Sequence, residues 1–291
     1  QMKRIGVHIN FAPVIDVNNN PENPVINIRS FGESKTNVTR KSLFYMIGLE
    51  NSGVLAVAKH FPGHGDTYLD SHDELPVINH SQVRLDSLEL FPYKELIYNG
   101  LSGIMTAHLQ VPALDPNSQT PSSLSPLIID SLLRHKLDFK GLIFTDALGM
   151  KGVTNHYKPV EAAEKALLAG NDVLLMPGEV PEVIKSISKL VKRGRISQEE
   201  IDNRCRRILA AKYWAGLNKY KPVDLRNLFN DLNKPEYRLL QRRLIESSLT
   251  VLQNANHLLP LRHLDTLKAA SVVFSTEEDP EFQQSLDLYM P

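Results

Sequence analysis

Short apolar runs that end in polar residues recur along this chain, and helical spacing follows most of them. The apolar runs predict five strands, at residues 6–17, 54–60, 102–109, 141–147 and 171–176. The runs are apolar on both faces rather than alternating, which is typical of a parallel sheet that helices cover on both sides. Strands that alternate with helices at this spacing indicate repeated βα units.

Capping residues and apolar periodicity predict the helices between and after these strands. They lie at residues 39–51, 87–99, 125–137, 160–169 and 181–192, with a last helix that opens at Ser197. Gly170 is a typical helix stop, and Ser197 with Glu200 has the spacing of a capping box. The pattern favours an α/β fold, a (β/α)8 TIM-type barrel that lacks its first strands. An open doubly wound sheet is the alternative, although no Gly-rich phosphate loop supports it.

The pattern changes after the last of these helices. Residues 222–243 are polar and contain no predicted strand, whereas residues 269–274 look like a new strand. We therefore predict a truncated barrel over 1–217, a linker over 218–244 and the beginning of a second α/β domain over 245–291. Because the chain opens inside folded sequence, we expect it to be a fragment of a longer protein. We also expect this fragment to be inactive or barely folded when it is expressed alone.

Composition narrows the classes of function. Lys and Arg total 33, Asp and Glu total 33, and the formal net charge is zero. That balance argues against nucleic acid as the main partner, because binding phosphates takes a basic excess. Cys205 is the only cysteine, so the chain forms no intrachain disulfide. No apolar run approaches the roughly 18–20 residues of a membrane-spanning helix.

Polar residues stand at the ends of the first four predicted strands. They are Asp16, Lys59 with His60, His108 and Asp146. A polar residue at a single strand end is usually a helix cap or a turn former. In a barrel, however, side chains at the carboxyl ends of the strands and on the loops that follow them form the active site. Several such residues at one end of a barrel therefore predict a pocket there.

The densest group of such residues is the loop KHFPGHGDTYLDSH at 59–72. One interpretation is a metal site, whose candidate ligands are His60, His64, Asp66, Asp70 and His72. We expect no metal, because the chain has no His-Glu-x-x-His motif and no Cys pair. In addition, the two glycines between these candidate ligands would make a poorly held metal cage. Activity that survives a chelator would separate the two interpretations.

This loop is similar to the signature loop of family 3 glycoside hydrolases, in the β-N-acetylglucosaminidase branch. The segments NFAPVIDV, RSFG, MTAHL, FTDALGM and AGNDVLLMPG resemble further motifs of that family in the expected order. SQEEIDNRCRRILAAKYWAGL is similar to its last barrel helix, and SSLTVLQNANHLLPL to the start of its second, α/β sandwich domain. The resemblance implies a carbohydrate substrate, N-acetylglucosaminides such as muropeptides, and no cofactor. In bacteria that branch often trims peptidoglycan fragments, and the compartment stays open between cytoplasm and periplasm.

The resemblance also implies catalytic roles. Asp146 corresponds to the nucleophile of a retaining double displacement, and His72 to the general acid/base, with Asp70 as its partner. An imidazole titrates near 6.5, so it can give and regain a proton near working pH. The bland alternatives are a helix cap for Asp146 and a surface salt bridge for His72.

Further positions correspond to sugar-binding residues of the family, namely Arg29, Lys59 and His60. Charged donors suit sugar hydroxyls, and the alternative for Arg29 is a structural ion pair. Asp16, His64 and His108 match positions that line or brace the pocket, and we expect His64 to shape the loop rather than react. The family's Asp-x-Glu-Gly strand, which grips the sugar, has no equivalent at residues 1–17, and we expect it upstream.

Three other functions remain open. The first is a β-glucosidase or β-xylosidase of the same family, but those branches usually take a Glu from the second domain and lack the DSH loop. The second is an N-acetylglucosaminide phosphorylase, because a His acid/base repels phosphate less than a carboxylate would. The third is a barrel that binds carbohydrate without catalysis, which an inactive His72→Ala variant would argue against.

Overall fold

A parallel sheet of four strands lies at the centre of the fold. The computed structural model describes residues 1–71, 74–117, 119–268, 270, 272 and 281–289. In chain order the strands are β1 (Ile9–Asn10), β2 (Leu55–Phe61), β3 (Gly103–Thr106) and β4 (Leu142–Thr145). Each strand pairs in parallel with the next, so the sheet order equals the chain order. This arrangement confirms the predicted α/β class with a parallel sheet.

Helices connect and follow the strands. They are α1 (Lys35–Asn51), α2 (Gln82–Ser87), α3 (Phe91–Tyr98), a π-helix (Leu127–Lys136), α4 (Lys151–Thr154), α5 (Pro159–Ala169), α6 (Val180–Lys192), α7 (Gln198–Trp214), α8 (Leu228–Leu232), α9 (Pro235–Ser248) and α10 (Glu281–Asp287). The capping predictions are confirmed, because Gly170 ends α5 at a φ of 114° and the Ser197–Glu200 capping box opens α7. None of the described helices has the length together with the apolar composition that a membrane crossing needs.

The strand predicted at 102–109 ends early, at Thr106, and two further predicted strands are largely unpaired. The strand at 6–17 contracts to β1, and after it Val14 forms one isolated bridge to β2. Pro13 interrupts this segment, since proline has no N–H to donate to a neighbouring strand. Residues 171–176 form a single bridge to β4 in place of the predicted strand. Both segments lie at the edges of the described sheet, where each has one neighbour to pair with.

Other predicted elements shift or change type. The helix predicted at 87–99 begins at Phe91, with Pro92 in its first turn, and α2 precedes it as a separate helix. The helix predicted at 125–137 is the π-helix, and its N-cap is Pro126. Ser125, one residue earlier, accepts the Ile128 N–H on Oγ at 3.3 Å. The strand predicted at 269–274 lies largely outside the described residues.

Both faces of the sheet are apolar. Alternate residues of a strand point to opposite faces. Ala56 and Ala58 of β2 join a core cluster with α1, α3 and the π-helix. Val57, between them, packs with Phe144 of β4 and Ile208 of α7. The helices therefore cover the sheet from both sides, as the apolar runs predict.

The chain divides into two compact units, Gln1–Leu228 and Phe229–Pro291. The first holds the sheet, and its helix α7 carries Cys205 as an exposed thiol. The second contains α9, in which Arg242 Nε donates to Glu246 Oε1 at 2.8 Å. The segment predicted as a linker, 218–244, holds α8 and most of α9. The predicted domain bounds stay a prediction.

Candidate active site

Four of the predicted site residues meet where the strands end. Because the strands are parallel, their carboxyl ends share one edge of the sheet. Lys59 and His60 lie near the end of β2, and Asp146 directly follows β4. Asp16 comes two residues after the Val14 bridge and contacts His60. The sequence positions with chemical side chains are thus gathered at one edge.

Asp16 is the buried centre of this group. Its carboxylate accepts the backbone N–H of His60 at 3.1 Å, the His60 ring Nδ1 at 2.8 Å and the His64 N–H at 2.7 Å. Burial raises the pKa of Asp16. The electrostatic effects of His60 and His64, together with the hydrogen bonds to His60, lower it by more than burial raises it. The pKa therefore lies below its usual value, and Asp16 braces both histidines as a carboxylate.

His60 joins Asp16 to Arg29. The Nε2 atom of His60 is 3.3 Å from Nη2 of Arg29. A guanidinium only donates, so Nε2 accepts there while Nδ1 donates to Asp16. Arg29 also donates from Nη1 to the Val25 carbonyl at 3.1 Å, and it is exposed overall. Two predicted sugar-binding residues are therefore in contact, and the guanidinium is accessible to a ligand.

Lys59 and Asp146 are electrostatically linked across the strand ends. Burial and then the charge of Arg29 lower the pKa of Lys59, while the carboxylates of Asp146 and Asp16 act in the opposite direction. Asp146 is half-buried, and its Oδ1 accepts the Ala147 N–H at 2.8 Å. The charges of Lys59 and Asp146 therefore interact at the carboxyl edge of the sheet.

His64 lies inside the loop and not on its surface. Its ring bonds to Thr67 Oγ1 at 2.9 Å through Nδ1 and to Ser71 Oγ at 3.0 Å through Nε2. Burial, followed by the effect of His60, lowers the pKa of His64 to about 4. His64 is therefore neutral near pH 7. Its contacts are those of a residue that holds the loop in shape.

Two asparagines that sequence reasoning missed also hold this loop. Asn23 Nδ2 donates to the His64 carbonyl at 2.8 Å, and Asn20 Nδ2 donates to the Thr67 carbonyl at 2.9 Å. A Cβ on Gly65 would lie 1.9 Å from the Val17 carbonyl oxygen, so only glycine fits there. The loop thus has a fixed path from the strand end to Thr67.

The predicted Asp70–His72 pair follows this fixed part. Asp70 is half-buried, and its carbonyl accepts the Glu74 N–H at 3.0 Å. His72 lies outside the described residues, so the pair stays a prediction. Over the part of the chain that is described, no group of three or more His, Cys, Asp or Glu residues is placed to hold a metal ion.

His108 braces the residue that follows Asp146. It is buried, and its Nε2 donates to the Ala147 carbonyl at 3.0 Å. Its Nδ1 bonds to Ser123 Oγ at 2.7 Å. Ser123 was not predicted, and no sequence motif marks it. The contact places His108 beside the backbone that positions Asp146.

Comparison with known proteins gives one consistent result. The sequence pattern described as "Glycosyl hydrolase family 3 N terminal domain" matches residues 1–211. Beta-hexosaminidase A of Pseudoalteromonas piscicida is 37% identical over 281 residues, which are 90% of this chain and 46% of that protein. The chain spans about half the length of the curated relatives it matches.

Solved structures agree. A glycoside hydrolase family 3 β-N-acetylglucosaminidase from Paenibacillus sp. str. FPU-7 matches with a TM-score of 0.74 and 40% identity, over 77% of this chain and 43% of that one. The β-glucoside phosphorylase BglX matches with a TM-score of 0.82 and 30% identity, over 89% of this chain and 49% of that one.

Proposed function

The chain belongs to glycosyl hydrolase family 3, and on that premise we propose that the full-length protein removes terminal β-N-acetylglucosamine with retention of configuration. One observation carries the proposal, namely that Asp146, Lys59, His60 and Asp16 gather at the carboxyl edge of the sheet. The fold that we propose for the whole catalytic domain is a (β/α)8 barrel.

In the first step Asp146 attacks the anomeric carbon. The C1–O bond to the leaving group breaks as the Asp146 oxygen forms an ester with C1. The Ala147 N–H donates to Asp146 Oδ1 and holds the carboxyl group in place, and the charge of Lys59 lies near it. In the second step water attacks C1, and Asp146 leaves as the carboxylate.

His72 is proposed to move the proton in both steps. It gives a proton to the leaving oxygen in the first step and takes one from water in the second. Asp70 would orient the imidazole and favour its charged form. The proposal for both residues rests on the resemblance of the DSH loop and on the fixed path of residues 61–67 that leads to it.

Arg29, Lys59 and His60 are proposed to bind the sugar. Arg29 is exposed, and its contacts with the Val25 carbonyl and His60 already restrict the side chain before a sugar binds. Ordering it on sugar hydroxyls therefore costs less conformational entropy than ordering a free arginine. Asp16 fixes the His60 ring at 2.8 Å. We propose peptidoglycan fragments as the natural substrates, which release of N-acetylglucosamine from muropeptides would test.

The test of the nucleophile is covalent trapping. We expect a 5-fluoro-N-acetylglucosaminyl fluoride to label the full-length protein once, on the peptide that contains Asp146, as read by mass spectrometry. Asp146→Ala is the control and takes up no label. A label on any other carboxylate would contradict the assignment.

The test of His72 uses two leaving groups. We expect His72→Ala to slow hydrolysis of substrates with sugar or alkyl leaving groups by about 10²-fold or more, since general acid catalysis is worth that much. Nitrophenyl substrates need little protonation and should lose far less in the first step. Equal losses for both would assign His72 a structural role.

Phosphorolysis is the second candidate, because one similar solved structure is a β-glucoside phosphorylase. Phosphate would then replace water as the acceptor of the second step, and the product would be N-acetylglucosamine 1-phosphate. A neutral imidazole repels phosphate less than a carboxylate would. Turnover in phosphate buffer, followed by product analysis, decides between free sugar and sugar phosphate.

A further inference from the structure

A second set of titratable side chains lies against the loop, outside the proposed sugar site. We name it the Glu89 cluster; its members are Asp66, His80, Arg84 and Glu89. His80 Nε2 bonds to Asp66 Oδ2 at 2.6 Å. Arg84 pairs with Glu89 Oε1 at 2.8 Å and with Asp66 Oδ2 at 3.8 Å. The cluster therefore links the segment around α2 to a carboxylate of the loop.

Burial of the Glu89 carboxyl group costs folding free energy. Its side chain is 3% exposed, and its Oε2 atom is buried without a hydrogen-bond partner among the described residues. Burial raises the pKa of Glu89, while its own backbone N–H and Arg84 act in the opposite direction. Replacing a buried ion pair by apolar groups is often neutral or stabilising, so stability alone does not account for this carboxyl.

The loop touches Glu89 directly. Gly63 has a φ of 132°, and a Cβ there would lie 2.8 Å from Glu89 Cβ and 3.0 Å from its Cγ. Asp66, three residues later, is the other contact of the cluster with the loop. The cluster thus holds the loop at two points on either side of His64.

His64 connects this part of the loop to the segment that follows it. Its ring bonds to Ser71 Oγ at 3.0 Å, and its N–H bonds to Asp16 at 2.7 Å. Ser71 stands between Asp70 and His72 in the chain. A shift of residues 63–66 would therefore move Ser71, the residue that precedes the proposed acid/base in the chain.

We propose that Glu89 and Arg84 are positioning residues for the acid/base step, because they fix the loop that carries Asp70 and His72 from outside the sugar site. This inference rests on the proposed function. Neither residue needs to touch the sugar. Their effect is confined to how well the loop presents its proton donor to the leaving group.

The test compares two variants that remove equally exposed basic side chains from neighbouring helices. The carboxylate partner is buried for Arg84 and exposed for Lys94. Arg84→Met cuts the link between Glu89 and Asp66 and keeps the aliphatic stem. Lys94→Met is the matched control, because Lys94 in α3 pairs with Asp86 at 2.7 Å and not with the loop. The Arg84 side chain is 33% exposed and that of Lys94 is 35% exposed.

For substrates with sugar or alkyl leaving groups, we expect Arg84→Met to lower kcat/KM of the full-length protein about tenfold or more, as small misplacements do. The loss on nitrophenyl substrates should stay below about threefold, because that leaving group needs little acid. Arg84→Lys should recover part of the loss, and Lys94→Met should keep wild-type values on both substrates. Equal losses on both substrates, or no loss, would overturn the proposal.

Proteolysis of the loop tests the positioning role without an activity assay, so its result does not depend on the proposed function. Tyr68 and Leu69 are exposed just after the fixed part of the loop. We expect chymotrypsin to cut after them at least severalfold faster in Arg84→Met than in the wild type or in Lys94→Met, as mapped by mass spectrometry. Equal cleavage of all three overturns the positioning role, whereas failure of the proposed function shows as absent fluorosugar labelling of the wild type.

Discussion

Two carboxylates with no exposed side-chain surface lie at opposite ends of the sheet, Asp16 at the carboxyl end and Asp172 at the amino end. Asp172 accepts the N–H of Ile143 at 2.9 Å. It pairs with Arg134 at 2.8 Å and with Arg207 Nε at 2.9 Å. Arginine stays charged in proteins, so this cluster is a fixed clamp between α7, the π-helix and the sheet.

Asp16 has titratable partners instead. His60 and His64 bond to it, and the second ring nitrogen of His60 reaches Arg29. Both carboxylates are equally buried, so burial of a charge does not by itself distinguish a structural cluster from a site. The difference lies in the partners of Asp16, because His60 bonds to Asp16 with one ring nitrogen and contacts the exposed Arg29 with the other. We therefore propose that the carboxyl end serves chemistry and the amino end serves stability.

The largest expected effect tests the chemical half of this comparison. Asp146→Ala removes the proposed nucleophile at the carboxyl end, and we expect kcat of the full-length protein to fall roughly 10⁴-fold or more. The Tm, measured by circular dichroism, should stay close to that of the wild type. Activity above about one hundredth of wild type would contradict the role of Asp146.

The next effect tests the structural half. Asp172→Asn leaves Arg134 and Arg207 without their carboxylate, and we expect the free energy of unfolding to fall by about 3 kcal/mol. This is the low end for a broken buried pair, because the Arg207 side chain is 31% exposed. Urea unfolding measures the loss. Activity per folded molecule should be retained, and a selective loss of activity would collapse the comparison.

A third effect separates the two ends by pH. His64 has a pKa of about 4 when folded, against 6.5 for its ordinary value. As the pH falls from 6.5 to 4, the unfolded chain binds a proton that the folded one does not, so stability falls by at most about 3 kcal/mol. In His64→Gln, the free energy of unfolding should fall less steeply with falling pH. In Asp172→Asn, the slope of the free energy of unfolding against pH should match that of the wild type. An unaltered slope in His64→Gln would contradict the assignment.

The smallest expected effect tests the helix that carries one arginine of the Asp172 cluster. The Ser197 side chain caps α7, the helix that carries Arg207. Ser197→Ala should lower the free energy of unfolding by about 1 kcal/mol, the usual loss for an N-cap. The labelling of Asp146 by the fluorosugar should not change. A change in labelling would show that α7 influences the site.

Helix ends could be predicted more closely than strand lengths. Gly170 ends α5 and Ser197 opens α7, because capping depends on residues a few positions apart. Strand pairing depends on neighbours that are distant in sequence. The runs at 6–17 and 171–176 are as apolar as paired strands, yet each pairs on one side only.

The site could be predicted in part for the same reason. Parallel strands bring their ends together, so the places of Asp16, His60 and Asp146 in the chain predict that they lie at one edge. Asn20 and Glu89 could not be found, because their roles depend on contacts that the loop makes only when folded. No local pattern of residue types marks either position.

Cys205 has a practical consequence. It is exposed on α7, beside Arg204 and two residues before Arg207. This chain contains no other cysteine, so a thiol-reactive fluorophore or a trifluoromethyl tag attaches to one defined point of it. The emission or the fluorine resonance of that probe follows the surroundings of α7. Loosening of the amino end can then be recorded without any sugar substrate.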